Sequence, residues 1–151
     1  MNHNSKIFIS DDVVFREGGY IRIEGFHNQL VIGSKTNLVN VFFSIGDSDT
    51  SVFIGNNCLI SANVIFRSWD NHSIFNINNL NKRINGGKNI RLDDHVWIGY
   101  GVTILKGSTI EHDSVIGTMS LVNKSIPSNS IAVGDPARVV KQNITWDEQW
   151  V

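Results

Sequence analysis

The chain has 151 residues, about the length of one domain and enough to bury a core. A net charge of −1 argues against nucleic acid or an anionic membrane surface as partner, and no window approaches the ~20 apolar residues of a membrane span. Cys58 is the single cysteine, so no internal disulfide forms, and the first twenty residues lack the apolar stretch of a secretory signal. A reducing, cytoplasmic setting is therefore expected.

Charged residues make up only 18% of the chain, a share that implies much surface buried in the fold or in an oligomer. Eighteen asparagines and 13 glycines accompany two prolines. Asn and Gly best tolerate the left-handed backbone region, so many tight corners between short strands are expected.

In chain order, the first forty residues carry loose repeats at Ile23 and Ile32-Gly33, with aromatics among them. They read as irregular first coils that cap the more regular repeats. Ile45-Gly46 is equally loose, and Ile54-Gly55 and Ile60 come into a six-residue phase. Between Phe66 and Ile90 that phase disappears. The polar, Asn-rich stretch 67–88, with Gly86-Gly87, reads as an extruded loop, ordered through Ile74, Phe75, Ile77 and Leu80. Long insertions in compact repeats commonly carry function.

From Leu92 an aliphatic residue recurs every sixth position, at Leu92, Ile98, Ile104, Ile110, Ile116 and Val122. Four residues after these stand Val96, Val102, Ser108, Ser114 and Ser120, small or β-branched. Beyond Val122, with Pro127 and Pro136, a last coil, a turn and a C-terminal strand or tail are expected.

Six is not a multiple of 3.6, so this pattern would spiral around an α-helix, and the β-branched content favours strand. A β-sandwich would need variable loops and chance spacing. A coil of three flat sides, six residues to a side, stacks each aliphatic on the one below. The expected fold is all-β: a left-handed parallel β-helix of hexapeptide repeats, one domain over 1–151, with the loop 67–88 and a short C-terminal tail.

The motifs Val96-Trp97-Ile98-Gly99, Val115-Ile116-Gly117 with Ser120, Lys124-Ser125-Ile126-Pro127 and Gly134-Asp135-Pro136-Ala137-Arg138 stand in a familiar order. From about Val52 to Trp146 the chain resembles the hexapeptide-repeat O-acetyltransferases, which act on galactosides, maltose, capsule and lipopolysaccharide. The loop text from Asp70 to Phe75 is closest to the capsule and O-antigen members. The resemblance implies an acetyl-CoA-dependent O-acetyltransferase acting on a saccharide hydroxyl. It also implies a homotrimer with active sites in the three clefts between subunits.

Residue by residue, it implies that His72 is the catalytic base. Acyl transfer from a thioester to a hydroxyl needs a group that takes the hydroxyl proton near neutral pH and returns it to the leaving thiolate. Histidine suits both steps; the bland alternative is a solvated loop histidine. Asp70 and Asn71 flank it as candidate acceptor contacts. Trp97 precedes the inward Ile98, so it faces outward, where the family's tryptophan lines the acyl and acceptor site.

Backbone N–H groups at Gly99 and Tyr100 are candidate donors to the oxyanion. Members usually carry a small residue where Tyr100 stands. The resemblance lines a groove for the pantetheine arm with Gly99, Thr118 and Ser120. It places the adenosine end near Asn123, Lys124, Arg138 and Lys141, with Pro136 turning the chain. Lysine and arginine suit phosphates, although each alone could be an ordinary solvated cation.

Cys58 reads as core, and His95 and His112 as surface or trimer-contact residues. Carbonic anhydrases of the γ type, which share this fold, bind zinc through histidines five apart on a coil. The chain has no such pair, so no metal is expected. Two other functions use the same features: acetylation of a streptogramin-type antibiotic, and saccharide binding by a non-catalytic trimer.

Overall fold

The structure, a computed structural model, describes residues 4–149; Trp150, the last tryptophan of the tail, lies outside that range. Strands stack in parallel on three faces, in about five turns that match the left-handed β-helix. On the first face Lys6–Ile9, Gln29–Ile32, Ser51–Ile54, Ile90–Leu92 and Thr109–Ile110 follow one another. On the second are Leu59–Ile60, Trp97–Ile98, Val115–Ile116 and Ser130–Val133. Ile65–Arg67, Thr103–Leu105 and Leu121–Val122 form the third. The long strands Val14–Ile23 and Asn37–Ile45 run through a corner and serve the second and third faces together.

The aliphatic hexad positions are the core. Leu92, Ile98, Ile104, Ile110, Ile116 and Val122 are all fully buried, as are Val96, Val102 and Cys58. Phe43 and Phe66 stack within the same column at 5.0 Å between ring centroids. Burial pushes the Cys58 thiol up to about 11, so it is an inert core group. No helix among the described residues is long and apolar enough to cross a membrane.

Register explains why the early repeat is loose. Leu92 and Ile110 are partners eighteen residues apart, three hexads, whereas Leu30 and Val52 are partners twenty-two apart. The extra residues, 24–28 and 46–50, sit at the corner between the third and first faces. The large insertion occupies that same corner in the next coil. Inside it, buried Asn28 donates to Glu24 O and Asp47 O, both at 2.8 Å, and accepts from the Thr50 amide and hydroxyl. Thr50 Oγ1 also lies 2.9 Å from Gly46 O and 3.1 Å from Ser68 Oγ. A buried polar ladder with every member satisfied closes the longer corners.

At the corner between the first and second faces, each coil turns through one left-handed residue: Lys35, Asn57, His95, Asp113 and Asn129, with φ from 53° to 58°. The first coil covers the coil beneath, where Leu30, Ile32 and Leu38 are fully buried, but leaves its own Ile7, Ile9, Phe15 and Ile21 exposed.

Candidate active site

The extruded loop leaves and re-enters the prism at one point, where Lys88 N–H donates to Ser68 O at 2.9 Å. The Trp69 indole lies where a side chain at Gly46 would stand, 2.2 Å from a Cβ built there, and donates Nε1 to Ser44 Oγ at 3.1 Å. Further out, the loop is held by polar groups. Asp47 accepts from Arg83 Nη1 at 2.6 Å and from the Gly87 amide at 2.5 Å. Lys106 Nζ, on the prism, donates to Asp70 Oδ2 at 2.5 Å and Asn85 O at 2.8 Å.

Asn85 is the hub of this latch. Its Nδ2 donates to Asp70 Oδ2 at 2.9 Å and to the His72 carbonyl at 2.8 Å. Its Oδ1 accepts from the Ile74 amide at 2.8 Å and from Arg83 Nε at 3.0 Å. The His72 backbone is therefore fixed while its ring is exposed and bonds to no described residue. The Lys106 hydrogen bond holds the Asp70 carboxyl below the usual carboxylate range, helped by Asn85. Asp70, expected at the acceptor, serves as the loop's tether. Asn71 Oδ1 accepts a long bond from Arg67 Nη2 at 3.4 Å.

The expected apolar anchoring of the loop is corrected. Phe75–Asn76 and Asn79–Arg83 form a small antiparallel hairpin with no sheet behind it, so Ile77 is 86% and Leu80 68% exposed. Asn85 and Lys106, which do the anchoring, went unnoticed in the sequence. Lys106 stands in a regular hexad, and only the Asn85-Gly86-Gly87 turn text hinted at a special backbone site.

On the second face, Trp97 points outward in a column with Leu59 and Val115 and is 38% exposed. The next corner alters two expectations. Gly99 is packed between coils, where a Cβ would lie 2.8 Å from Ile116 O, and its N–H is already bonded to that oxygen. It has no donor left for an oxyanion. Ser120 is buried, donating to Gly117 O at 2.7 Å and accepting from the Gly134 amide at 3.0 Å, so its side chain lines no groove. The outward N–H groups of Tyr100 and Thr118 have no partner among the described residues. The Tyr100 ring folds back on the coil below, its hydroxyl accepting from Asn63 Nδ2 at 2.7 Å.

Asn123 and Lys124 follow Leu121–Val122 and are exposed. Backbone bonds from Ala137 to Leu121 O (2.8 Å) and from Leu121 to Gly134 O (3.0 Å) bring the turn with Pro136 and Arg138 alongside. Lys141 is exposed on Arg138–Gln142, which pairs antiparallel with Ser130–Val133. Lys124, Arg138 and Lys141 thus all lie on the last coils. His72 and Trp97 are not brought together in one chain. The first rises from the corner between the third and first faces, the second from the second face.

The tail then turns back down the corner of left-handed residues. Ile144 exchanges bonds with Asn129, and Thr145 Oγ1 donates to Asp113 Oδ1 at 3.0 Å. Trp146 donates Nε1 to His95 O at 2.8 Å and stacks on the His95 ring at 4.2 Å and 10°. Its centroid is 6.0 Å from that of Trp97. Asp113 also meets His95 Nδ1 at 2.7 Å and His112 Nδ1 at 2.8 Å. Hydrogen bonds from His112, then His95, lower the Asp113 carboxyl to about 2, and Asp113 raises His112 in return.

These shifts set a pH window for the strap. Asp113, depressed from an ordinary value of about 3.9, stabilises the folded strap above that pH and loses its contribution as pH falls toward 2. His112, raised from about 6.5, contributes below that pH and loses it as pH climbs through the raised value. Tryptophan fluorescence of the wild type minus Trp146→Phe should report a strap tightest between about pH 4 and 6.5. Asp113→Asn should flatten the acid limb. An unchanged acid limb in that variant would remove Asp113 from the strap.

No protein-family model matches the sequence. A polysialic acid O-acetyltransferase of Escherichia coli O1:K1 is 36% identical over 146 residues, covering 97% of this chain and 43% of that protein. Another, from Neisseria meningitidis, is 34% identical over 145 residues, covering 95% of this chain and 66% of that one. The crystal structure of the polySia-specific acetyltransferase NeuO superposes with a TM-score of 0.81 at 34% identity, covering 97% of this chain and 76% of that one. The chain belongs to the hexapeptide-repeat acetyltransferases. It spans less than half the length of the first of these relatives.

Acetyltransferases of this family use acetyl-CoA. The residues present fit that molecule. The unpartnered Thr118 N–H suits an amide carbonyl of a pantetheine arm, that of Tyr100 suits the thioester carbonyl, and the exposed Lys124, Arg138 and Lys141 suit phosphates.

Proposed function

We propose that residues 1–151 act as one domain that transfers the acetyl group of acetyl-CoA to a saccharide hydroxyl of the capsular or O-antigen kind. His72 is the general base. The observation that carries this reading is the latch, which spends four polar groups to fix the backbone of one histidine and leaves its ring free. The relatives named for polysialic acid support a saccharide acceptor. Acetyl-CoA supplies a thioester that needs no covalent enzyme intermediate.

The chain supplies the rest. His72 takes the hydroxyl proton as the oxygen attacks the thioester carbonyl. The Tyr100 N–H donates to the oxygen that becomes negative. When the C–S bond breaks, His72 returns the proton to the departing thiolate. Trp97 walls the site.

Because His72 and Trp97 rise from different parts of one prism, a complete site draws on two copies. A homotrimer with three clefts supplies this, and the exposed Ile77 and Leu80 are apolar enough to be covered in it. A cytoplasmic setting, where acetyl-CoA is made, belongs to the same reading. The same exposed side chains favour one other reading, a bulky apolar acceptor such as a streptogramin.

Transfer from acetyl-CoA to polysialic acid, an O-antigen saccharide, a galactoside and a streptogramin decides between them. Turnover of a saccharide is expected. Turnover of the streptogramin alone overturns the saccharide reading, and binding of saccharide without transfer to any acceptor makes the trimer non-catalytic. Replacing Arg138 and Lys141 together by Ala should weaken acetyl-CoA binding by about 10–100-fold in calorimetry, as the loss of charged hydrogen bonds implies. Unchanged binding would move the coenzyme's phosphates elsewhere.

A further inference from the structure

The outer surface of the second face reads as a column, Asn37, Leu59, Trp97, Val115, Ile131, one residue per coil. The residues that fit the coenzyme lie from Trp97 toward the last coils. Toward the first coils lies a cleft of about 620 Å³ that nothing in the mechanism uses. The strap forms its upper wall with Trp146 and Glu148, and Lys35, Asn37 and Asn57 form its floor.

Three properties of this cleft point the same way. First, the Trp146 indole is held by its stack on His95 and by its bond to His95 O, so an aromatic face is presented with little ordering left to do. Second, the side chains of Lys35, Asn37, Asn57 and Glu148 bond to no described residue. Between them they offer amide donors and acceptors, an ammonium and a carboxylate. A sugar ring matches that set, with an apolar C–H face for the indole and a rim of hydroxyls for mixed donors and acceptors. Third, donor and acceptor must meet at Trp97 from opposite directions, and the cleft lies on the side away from the cationic end.

We propose that the cleft beneath the C-terminal strap is a saccharide subsite. Trp146 stacks on a ring of the acceptor chain beyond the residue that is acetylated, and Lys35, Asn37, Asn57 and Glu148 bind its hydroxyls. This rests on the saccharide acceptor proposed above. It gives a role to the strap, and to His95, Asp113 and His112, which hold Trp146 without touching the reacting atoms.

The test uses the full chain with acetyl-CoA and polysialic acid, as polymer and as disaccharide, or the O-antigen saccharide if that is the one turned over. Trp146→Ala and the double variant Asn37→Ala/Asn57→Gly, in which glycine keeps the left-handed corner and the strap's own bonds stay intact, are compared with wild type. The polymer KM should rise about tenfold in each, the loss expected for one stacked ring or two hydrogen bonds, and the effect should grow with acceptor length. The KM for acetyl-CoA should stay within about twofold, since a tenfold change would need a lost contact worth about 1.4 kcal/mol.

A polymer KM unchanged in the double variant overturns the subsite while leaving the saccharide reading intact. So does a change of equal size in the acetyl-CoA KM, which points to general misfolding. Transfer to no saccharide at all removes both.

Discussion

His72→Ala should lower kcat by about 10²–10⁴-fold, the usual contribution of a general base, with acetyl-CoA affinity nearly intact. The split follows from position. His72 stands on the latched loop, whereas the groups that fit the coenzyme are at Tyr100, Thr118 and the last coils. Pre-steady-state mixing with an acetyl-CoA analogue separates binding from chemistry. Ordinary turnover in His72→Ala would place the base elsewhere.

The largest effect on stability is expected from Ile104→Asp. Ile104 is fully buried between its register partners Phe66 and Val122, in a column where no polar group can meet a carboxylate. An uncompensated buried charge costs about 3–5 kcal/mol, so the melting temperature should fall by roughly 10 °C or more. Ile104→Val, which removes one methylene, should cost only about 0.5–1.5 kcal/mol. Chemical denaturation of both variants checks the pair. Equal stability of Ile104→Asp and wild type would mean that the inward column is wrongly assigned.

The prism was legible because its periodicity is its packing. Each inward residue from Leu92 to Val122 repeats at the spacing of one face, so the contacts made across coils are written along the chain. Coils of twenty-two residues blur that record. Their extra corner residues are closed by Asn28, Thr50 and Ser68, which meet in space but share no period. Position also told which way Trp97 faces.

What position could not tell was what neighbouring coils do with a group. The Gly99 amide looked available until the coil above was seen to take it, and the Ser120 hydroxyl until Gly117 O of its own coil and the Gly134 amide were seen on either side of it. The loop was recognisable as an interruption. Its anchors were not, because Asp47 with Arg83 and Lys106 with Asp70 are pairs thirty-six residues apart that follow no local pattern. The strap escaped for the same reason. His95 and Asp113 look like ordinary corner residues until Trp146, far along the chain, is laid on them.

The backbone bond from Lys88 to Ser68 O makes one hinge pair at the neck of the insertion, and Asp47 and Lys106 tie its outer part to the prism. Below it, Ile90 rejoins Val52 in register as though the excursion were absent. The entropy of closing such a loop grows only with the logarithm of its length, so doubling it costs about 0.6 kcal/mol. Lengthening or exchanging the hairpin beyond Asn76 therefore puts little load on the prism. A lineage could retailor what reaches the histidine while the stacked coils stay as they are. The same hinge marks where a loop from a relative with another acceptor could be grafted, provided that Asp47, Asp70, Asn85 and Lys106 are kept.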